Sequence, residues 1–292
     1  MSETASGALT TKRIGETFVA EVSGVDIARE QESAWDAIHT AYLEHKILTF
    51  RGQKLTAKQF HDFGERFGPV EPHTVVMYHH EEFPGITVLS NRTEMGRPKG
   101  IRDAGSHWHS DYSYKAVPAN VTTLYALEVP KEGGDTMFAD LAAAYAALPE
   151  AMKQRLEGLK ALHHYRHTKD KEHPEGRWRL LSDTEREATP EVVHPLVRIH
   201  PETGVKSVFA FPGLSSGVRH VIGMDEAESH ELLESLYAHC AESRFRYIHK
   251  WQAGDLVIWD NRCTMHHATT NVLPADQFRT LYRINTQGSR PI

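Results

Sequence analysis

A histidine and an aspartate two residues apart are the first residues in the sequence with an evident chemical use. In His109-Ser110-Asp111 the two outer side chains face the same way on an extended chain, because residues i and i+2 share one side of a strand. Two imidazoles and one carboxylate on one face of an iron ion leave three coordination positions open. The pair therefore indicates a candidate metal site that needs a second histidine from elsewhere in the chain.

The spacing by itself has low specificity. With 20 His and 39 Asp plus Glu in 292 residues, about three matches to His-x-Asp/Glu are expected by chance. Five occur, and they start at His79, His80, His109, His173 and His200. Only the match at His109 carries Asp, so other segments must decide whether it is functional.

Three further segments follow in order along the chain. The first is GGDT at residues 133–136, the second is WDNRCTMH at residues 259–266, and the third begins at Arg279 with Arg283 four residues later. Imidazole is the commonest protein ligand for metals. A guanidinium offers a planar, two-pronged donor to a carboxylate that an ammonium cannot match. The segments therefore contain an imidazole (His266), a hydroxyl (Thr136) and two guanidinium groups, which are side chains able to bind a metal or an anion.

With these four segments in this order and spacing, the chain resembles the taurine/2,4-dichlorophenoxyacetate dioxygenase family from about residue 17 to residue 285. The resemblance implies a mainly β fold with flanking helices around a double-stranded β-helix (jelly-roll) core. It implies Fe(II) as the metal, with 2-oxoglutarate and O2 as co-substrates. The implied reaction hydroxylates a substrate while 2-oxoglutarate is decarboxylated to succinate and CO2.

The family's site residues carry over one by one. Its His-x-Asp ligands match His109 and Asp111, and its distal ligand matches His266. Its 2-oxoglutarate-binding threonine matches Thr136, and the arginine that pairs with the far carboxylate of 2-oxoglutarate matches Arg279. The presence of Asp111 favours hydroxylation over halogenation, because related halogenases need an open position there.

The substrate residues are less closely matched. His73 and Arg283 match positions that hold the anionic substrate in taurine-type members, with an internal ion pair as the alternative for Arg283. Val76, Gly105 and Tyr112 replace the tyrosine, asparagine and small aliphatic residue of the taurine pattern. Tyr112 is a third candidate substrate residue, with core packing as its alternative. We expect a small anionic substrate, with a carboxylate of the aryloxyalkanoate type ahead of a sulfonate.

Other readings of the same residues stay open. The same core can perform desaturation or oxidative cleavage, or the chain can be a non-catalytic jelly-roll binding module. A zinc hydrolase shares two histidines and a carboxylate but does not need Thr136 and Arg279 arranged for an oxo acid. A module without turnover is expected to lose at least one of the five matched residues.

The elements that must position these residues form one domain over residues 1–292. Many short strands point to a closed or sandwiched β core with helices outside. Two polar stretches, about residues 73–107 and 167–190, are predicted to be lid loops. His163, His164 and His167 are placed at a polar helix end, with a second metal cluster as the alternative. Helices are predicted at 31–46, from Thr56 to Gly68, 141–148, 149–159 and 225–242, and strands at 17–26, 47–50, 120–129, 136–138, 245–251, 255–260 and 280–285.

The composition limits the classes of binding partner that we expect for this protein. The net charge of −6 argues against a nucleic-acid partner, since phosphate binding favours a basic face. No apolar run approaches the ~18 residues of a membrane span, and the N-terminus lacks a secretory signal. Two cysteines are too few for a disulfide framework, so we expect reduced thiols in a cytoplasmic protein. A small-molecule substrate is the expected partner, and the resemblance allows a homo-oligomer, a dimer or a tetramer.

Overall fold

The fold is built mainly from short strands. The computed structural model describes residues 9–30, 32–165, 182–211, 216–274 and 276–292. The strands are β1 (Thr10–Arg13), β2 (Val19–Ser23), β3 (Ile47–Phe50), β4 (Thr87–Ser90), β5 (Thr93–Glu94), β6 (Arg97–Pro98), β7 (Ala119–Glu128), β8 (Thr136–Asp140), β9 (Lys160–Tyr165), β10 (Val192–Pro195), β11 (Val197–Ile199), β12 (Lys206–Val208), β13 (Ser216–Val221), β14 (Arg246–His249), β15 (Leu256–Asp260), β16 (Thr264–Ala268) and β17 (Thr280–Gln287).

The helices are fewer and lie outside the strands. They are α1 (Ile27–Glu30), α2 (Trp35–His45), α3 (Ala57–Glu65), α4 (Leu141–Ala146), α5 (Glu150–Leu156), α6 (Asp183–Glu187) and α7 (Glu226–Cys240). Among the described residues, no helix combines the length and the hydrophobicity that a membrane span requires.

Two sheets form the centre of the molecule. The major sheet has the strand order β1-β2-β3-β15-β7-β17-β4, and the minor sheet has the order β14-β8-β16. Their pairs are antiparallel except β2 with β3. A third sheet, β10-β9-β13, adjoins them. This confirms the predicted mainly β core with flanking helices.

Strand β15 shows why both faces of the major sheet are buried. Leu256 and Ile258 belong to the apolar cluster that includes α2 and α3, whereas Val257 and Trp259 belong to the cluster facing the minor sheet. The side-chain period of two sends alternate residues to opposite faces. Because all four are apolar, the strand is buried on both sides. Phe138 of β8 meets Trp259 edge-on, with ring centroids 5.3 Å apart, and joins the two sheets.

Helix starts follow the capping residues that the sequence offers. Thr56 accepts from the backbone N–H of Gln59, and the Gln59 side-chain oxygen accepts from the backbone N–H of Thr56, which forms a capping box at α3. Asp140 accepts from the N–H groups of Ala142 and Ala143 at α4. Asp225 caps α7 in the same way. The predicted helices are confirmed here, with ends shifted by a few residues.

The predicted loop at 73–107 needs a correction. It contains β4, whose four residues are buried and pair with β17 in the major sheet, followed by the β5–β6 hairpin. The strand was missed because its run of four residues is short and lies between turn residues. In the second predicted loop, residues 167–181 lie outside the described residues, and 182–190 include α6.

The placement of His163 and His164 at a helix end is wrong. Helix α5 ends at Leu156, and Gly158 then adopts a positive φ of 74° that reverses the chain into β9. Both histidines are buried in that strand, between β10 and β13. Strand β9 was not predicted because a buried strand is recognised by a run of apolar residues, and two histidines interrupt that run here.

Candidate metal centre

The three predicted metal ligands come together between the two sheets. The Nε2 atom of His109 lies 3.7 Å from Oδ1 of Asp111, and Nε2 of His266 lies 3.8 Å from Oδ2 of the same carboxylate. One ligand atom from each residue falls within 4.8 Å of the others. All three side chains are largely buried, so the site is a pocket of two imidazoles and one carboxylate.

Backbone bonds hold the two histidines together. His109 and His266 form an isolated antiparallel bridge, with N–H to carbonyl distances of 3.0 and 2.9 Å. Nδ1 of His109 donates to the carbonyl of His107 at 2.8 Å, so Nε2 is the nitrogen that faces Asp111 and can bind a metal. The carbonyl of His107 thus orients the ligand imidazole.

The carboxylate of Asp111 is fixed by a buried network. Its Oδ2 atom accepts from Oγ1 of Thr122 at 2.6 Å and from Nδ2 of Asn285 at 2.9 Å. Thr122 in turn accepts from Nδ2 of Asn261 and of Asn285, each at 2.7 Å. Asn261 also accepts from the backbone N–H of Asp111 and from the indole of Trp259. The network engages one carboxylate oxygen and leaves Oδ1 facing His109.

Electrostatics favour the protonation states that a metal needs. Burial alone would raise the pKa of Asp111, but His266, His109 and Arg283 hold it well below its usual range. Burial lowers the pKa of His266 well below its usual value, and His109 adds to that effect. At neutral pH the carboxylate is therefore ionised and the imidazole of His266 is neutral, as metal ligation requires.

The predicted 2-oxoglutarate residues meet beside the metal ligands. On the minor sheet, Thr136 pairs with Ala268 and Phe138 pairs with His266, so Thr136 and His266 share one face. Nη2 of Arg279 donates to Oγ1 of Thr136 at 3.4 Å, and the indole of Trp251 donates to the same oxygen at 3.0 Å. Because the Thr136 oxygen acts as the acceptor in both bonds, its hydroxyl proton remains available to a ligand.

Arg279 is buried and short of partners. Its Nε atom has no hydrogen-bond partner among the described residues, and only 5% of the residue surface is exposed. Burial lowers its pKa to about 10, with Asp135 opposing the shift, so the guanidinium is charged at neutral pH. A buried charge with unused donors favours an anionic ligand such as a carboxylate.

Arg283 and Tyr112 lie next to the Asp111 carboxylate. Nη1 of Arg283 is 4.0 Å from Oδ1 of Asp111, which is beyond hydrogen-bond distance. The hydroxyl of Tyr112 has no partner among the described residues, and burial raises its pKa. The ion-pair alternative for Arg283 is thus present only as a long contact.

His73 lies in a segment attached to a group of tyrosines. Its Nδ1 atom accepts from the backbone N–H of Val75 at 3.0 Å, and its carbonyl accepts from His79 at 2.8 Å. The next residue, Thr74, is 3.5 Å from the hydroxyl of Tyr114. These contacts do not by themselves put the imidazole at the metal ligands, and the substrate role of His73 stays a prediction.

Gly105 explains one departure from the taurine pattern. Its φ is +73°, and a Cβ atom there would lie 2.8 Å from Cε1 of His109. Its carbonyl accepts from the backbone N–H of Ala268 at 2.8 Å. The glycine therefore lets this loop pass directly over the ligand imidazole.

A second cluster of ligand-type side chains is structural. His200, Asp260 and Cys263 lie close enough to share an ion. The Asp260 carboxylate already accepts three bonds from Arg262 and one from His200 at 2.8 Å, and these charges hold its pKa below the usual range. Both carboxylate oxygens of Asp260 are therefore occupied by hydrogen bonds within the protein. A third group, His61, Asp62 and Glu65, is not fully buried, and Lys58 already donates to both oxygens of Asp62.

Sequence reasoning missed Thr122, Asn285 and Trp251. Thr122 and Asn285 face each other across β7 and β17, where they are polar residues in otherwise apolar positions. That signal is weak, because threonine is common in strands for other reasons. Trp251 was placed only at the end of a strand, and nothing local tied its indole to Thr136.

The donor set fits an iron-type ion. Two imidazoles and one ionised carboxylate converge from two segments, and the described residues add no fourth protein ligand to the group. This donor set matches a site that keeps positions open. The tautomer of His109 and the held oxygen of Asp111 are the outer contacts that such sites use.

Comparisons with known proteins agree with this geometry. The family model described as taurine catabolism dioxygenase TauD, TfdA family, matches residues 10–285. The chain is 36% identical over 255 residues to the (S)-phenoxypropionate/alpha-ketoglutarate-dioxygenase of Sphingobium herbicidovorans, covering 87% of this chain and 86% of the relative. It is 34% identical over 266 residues to the alpha-ketoglutarate-dependent 2,4-dichlorophenoxyacetate dioxygenase of Cupriavidus pinatubonensis, covering 85% and 88%.

A solved structure has a similar fold. The crystal structure of AAD-2 in complex with Mn(II) and N-oxalylglycine is 29% identical, with a TM-score of 0.80 over 98% of this chain and 99% of that one. The two central sheets are therefore the jelly-roll core that the resemblance implied. The chain belongs to the TauD/TfdA family of dioxygenases.

Proposed function

We propose that this protein is an iron(II)- and 2-oxoglutarate-dependent dioxygenase that hydroxylates a small anionic organic substrate. One observation carries the proposal: the ligand group His109, Asp111 and His266 lies on the face that also presents Thr136, with Arg279 bonded to it. A zinc hydrolase would use the first three residues and has no need of the other two. When bound, the metal and 2-oxoglutarate supply the oxidation, in which O2 yields the hydroxylated product, succinate and CO2.

The chain's own residues hold and orient the reactants. His109, Asp111 and His266 would ligate Fe(II), which is the metal we propose on the basis of the donor set. Arg279 would pair with the far carboxylate of 2-oxoglutarate, and Thr136 would donate its free hydroxyl proton to the same ligand. The surrounding apolar residues exclude water from this pocket.

The substrate end of the pocket favours an anion. Arg283 is buried and lies 4.0 Å from Asp111, and Tyr112 follows Asp111 directly. We propose that Arg283, Tyr112 and His73 bind the substrate, and that a carboxylate of the aryloxyalkanoate type is the first candidate. Relatives named for phenoxypropionate and 2,4-dichlorophenoxyacetate support that choice, and the taurine name of the family keeps a sulfonate as the second candidate.

The decisive test is an anaerobic optical titration. Fe(II) and then 2-oxoglutarate are added to the purified protein, and the weak visible charge-transfer band of the chelate is recorded. We expect the band in the wild type and its loss in His266→Ala. A folded, iron-loaded wild type without the band would contradict the proposal.

A second variant separates an oxygenase from a hydrolase. Arg279→Met removes the donor for the far carboxylate, so 2-oxoglutarate affinity should fall by at least about 100-fold, since a charged pair of this kind is worth a few kcal/mol. Iron binding should persist, because Arg279 touches none of the three ligands in the described contacts. A 2-oxoglutarate affinity equal to that of the wild type would exclude the assigned role.

Location and assembly follow as lesser proposals. We propose a cytoplasmic protein on the basis of its two cysteines, Cys240 and Cys263, which are free and buried. A homo-oligomer, dimer or tetramer, is the proposed assembly, and light scattering after size exclusion measures it. Closure of the segment at residues 73–107 is tested by proteolysis, which should slow when iron, 2-oxoglutarate and substrate are bound.

A further inference from the structure

The hydroxyl of Thr136 receives two hydrogen bonds and donates none to the described residues. Nε1 of Trp251 donates to its Oγ1 atom at 3.0 Å, and Nη2 of Arg279 donates to the same atom at 3.4 Å. Indole and guanidinium nitrogens are donors only, whereas a hydroxyl oxygen has two lone pairs and one proton. Both lone pairs are therefore engaged, and any third partner of this oxygen must be an acceptor.

The bond from Trp251 is the one that fixes the hydroxyl. Its length of 3.0 Å is the usual one for an N–H···O bond, while the 3.4 Å contact from Arg279 lies beyond the usual range. The guanidinium ends a flexible chain and has several donors, which an anionic ligand can engage. The indole has a single donor on a rigid ring, so the position of the ring decides where Oγ1 can direct its proton.

The Trp251 ring is buried and enclosed. Only 8% of the residue surface is exposed, and the residue belongs to the apolar cluster that faces the minor sheet. His249 packs edge-on against the ring, with centroids 4.5 Å apart, and the Arg279 guanidinium lies 5.6 Å from the ring centroid. His249 also pairs with Thr136 in the register of β14 and β8. This strand pairing brings the segment of Trp251 next to Thr136.

A buried carboxylate ties down the backbone that carries Trp251. Oδ2 of Asp255 accepts from the backbone N–H of Gln252 at 2.8 Å and lies 3.1 Å from Nε2 of His249. Arg51 donates to the same oxygen. Residues on both sides of Trp251 are thus held by one group, so the indole is preorganised before any ligand binds.

We propose that Trp251 is a positioning residue for 2-oxoglutarate: its indole makes the Thr136 hydroxyl an obligate donor directed at the far carboxylate. The proposal rests on the function proposed above and adds a residue that lies outside the matched motifs. Without the indole N–H, one lone pair of Oγ1 is free and the hydroxyl can rotate. Binding must then select one orientation, so affinity falls although no contact with the ligand is lost.

A double-mutant cycle tests this role through binding rather than turnover. 2-Oxoglutarate is titrated anaerobically into the Fe(II)-loaded wild type, Trp251→Phe, Thr136→Val and the double variant, and the chelate band gives each dissociation constant. Trp251→Phe keeps an aromatic ring but loses the donor, so it should weaken binding about 3- to 10-fold, the usual worth of a neutral hydrogen bond. Thr136→Val should weaken binding about 10- to 100-fold, because the lost hydroxyl bonds a charged group. The double variant should bind within about twofold of Thr136→Val, since the indole acts through the hydroxyl.

A second oxo acid and a second tryptophan supply the matched controls. 2-Oxobutyrate has the chelating 2-oxo acid group but lacks the far carboxylate, so Trp251→Phe and the wild type should bind it alike. Trp35 packs against the apolar cluster on the other face of the major sheet, and Trp35→Phe should leave the affinity for both oxo acids unchanged. Calorimetric titration should give the same Fe(II) affinity for every variant.

Three results would overturn the role of Trp251. They are an unchanged affinity of Trp251→Phe for 2-oxoglutarate, a loss that persists in the Thr136→Val background, and an equal loss for 2-oxobutyrate. Failure of Trp251→Phe to bind Fe(II) would also overturn it, because the tryptophan would then serve the fold as a whole. In each of these cases the chelate band of the wild type leaves the dioxygenase proposal standing, whereas absence of that band would refute the dioxygenase proposal itself.

Discussion

At the scale of single residues, the site depends on which oxygen of Asp111 is left for the metal. Thr122 and Asn285 both donate to Oδ2, and Asn261 supports them from a third segment. An aspartate without these contacts could rotate about its terminal torsion, which is a soft one. The network thus converts a flexible carboxylate into a fixed ligand.

This role predicts an effect of Thr122→Val on metal affinity. The substitution keeps the shape and burial of the side chain but removes the 2.6 Å bond to Asp111. Loss of an outer contact of this kind typically costs about 10- to 100-fold in metal affinity. Calorimetric titration with Fe(II) under anaerobic conditions measures the change.

The adjacent residue provides the control. Thr123 is equally buried, and its Oγ1 atom has no hydrogen-bond partner among the described residues. Thr123→Val should therefore leave metal affinity unchanged and leave stability unchanged or slightly higher. Similar losses of affinity in both variants would argue that the Thr122 bond has no special role.

At the scale of elements, the site is assembled by the docking of one loop onto one strand. The loop that carries His109 pairs with β16 through the bridge to His266, and the carbonyl of Gly105 adds a bond to Ala268. Strand β16 lies against β8, which presents Thr136 on the same face. The close passage of the loop is possible because residue 105 has no side chain.

A methyl group at this position should displace the ligand. In Gly105→Ala the new Cβ would lie 2.8 Å from the His109 ring, closer than van der Waals contact allows. We expect metal affinity to fall by about 10-fold or more, as for other disturbed ligand contacts. The chelate-band titration measures it.

Gly96→Ala separates the clash from backbone strain. Gly96 has a similar φ of +77°, but a Cβ there meets nothing within 4 Å. Both variants therefore place an alanine in the strained left-handed conformation, but only in Gly105→Ala does the new methyl group contact His109. A comparable drop in metal affinity for both would show that backbone strain, not contact, is responsible.

At the scale of the whole molecule, buried neutral histidines link stability to pH. Burial lowers the pKa of His163 well below its usual value, with His194 and Arg198 adding to the effect. In the unfolded chain the same side chain titrates near its ordinary value of about 6.5. As the pH falls below that value, the unfolded state takes up a proton that the native state refuses, so the free energy of unfolding decreases.

Removal of His163 should make the free energy of unfolding less dependent on pH. Between about pH 7.5 and 5.5 a histidine that stays neutral in the native state lowers the free energy of unfolding by about 1.4 kcal/mol. His163→Leu should reduce the loss of stability over this interval by that amount. Both ring nitrogens lack partners among the described residues, so no hydrogen bond is lost in the variant. Urea unfolding at the two pH values measures the difference.

An exposed histidine serves for comparison. His230 on α7 is exposed to solvent. His230→Ala should preserve the wild-type pH dependence of the free energy of unfolding, because this variant leaves the buried histidines unchanged. If His163→Leu also preserved it, the native His163 would have to be protonated, contrary to its burial.

Short-range spacing carried much of the information about the site. The spacing of His109 and Asp111 indicated a metal pair, whereas Thr136, His266 and Arg279 could be named because their motifs, in this order, resemble those of the family. The helix starts could also be predicted, because the side chains of Thr56, Asp140 and Asp225 accept hydrogen bonds from backbone N–H groups two or three residues away. Local chemistry of this kind does not depend on what packs against it.

Only the tertiary structure decided the contacts between distant segments. Asn285 reaches Asp111 across 174 residues, and Trp251 reaches Thr136 across 115. Strand β4 and the buried His163 were hidden for the same reason, because their burial comes from neighbouring strands that a local pattern does not contain. The sequence by itself thus determined the chemical groups of this protein, while the packing of sheets and loop determined which oxygen, which donor and which ring face the reactants.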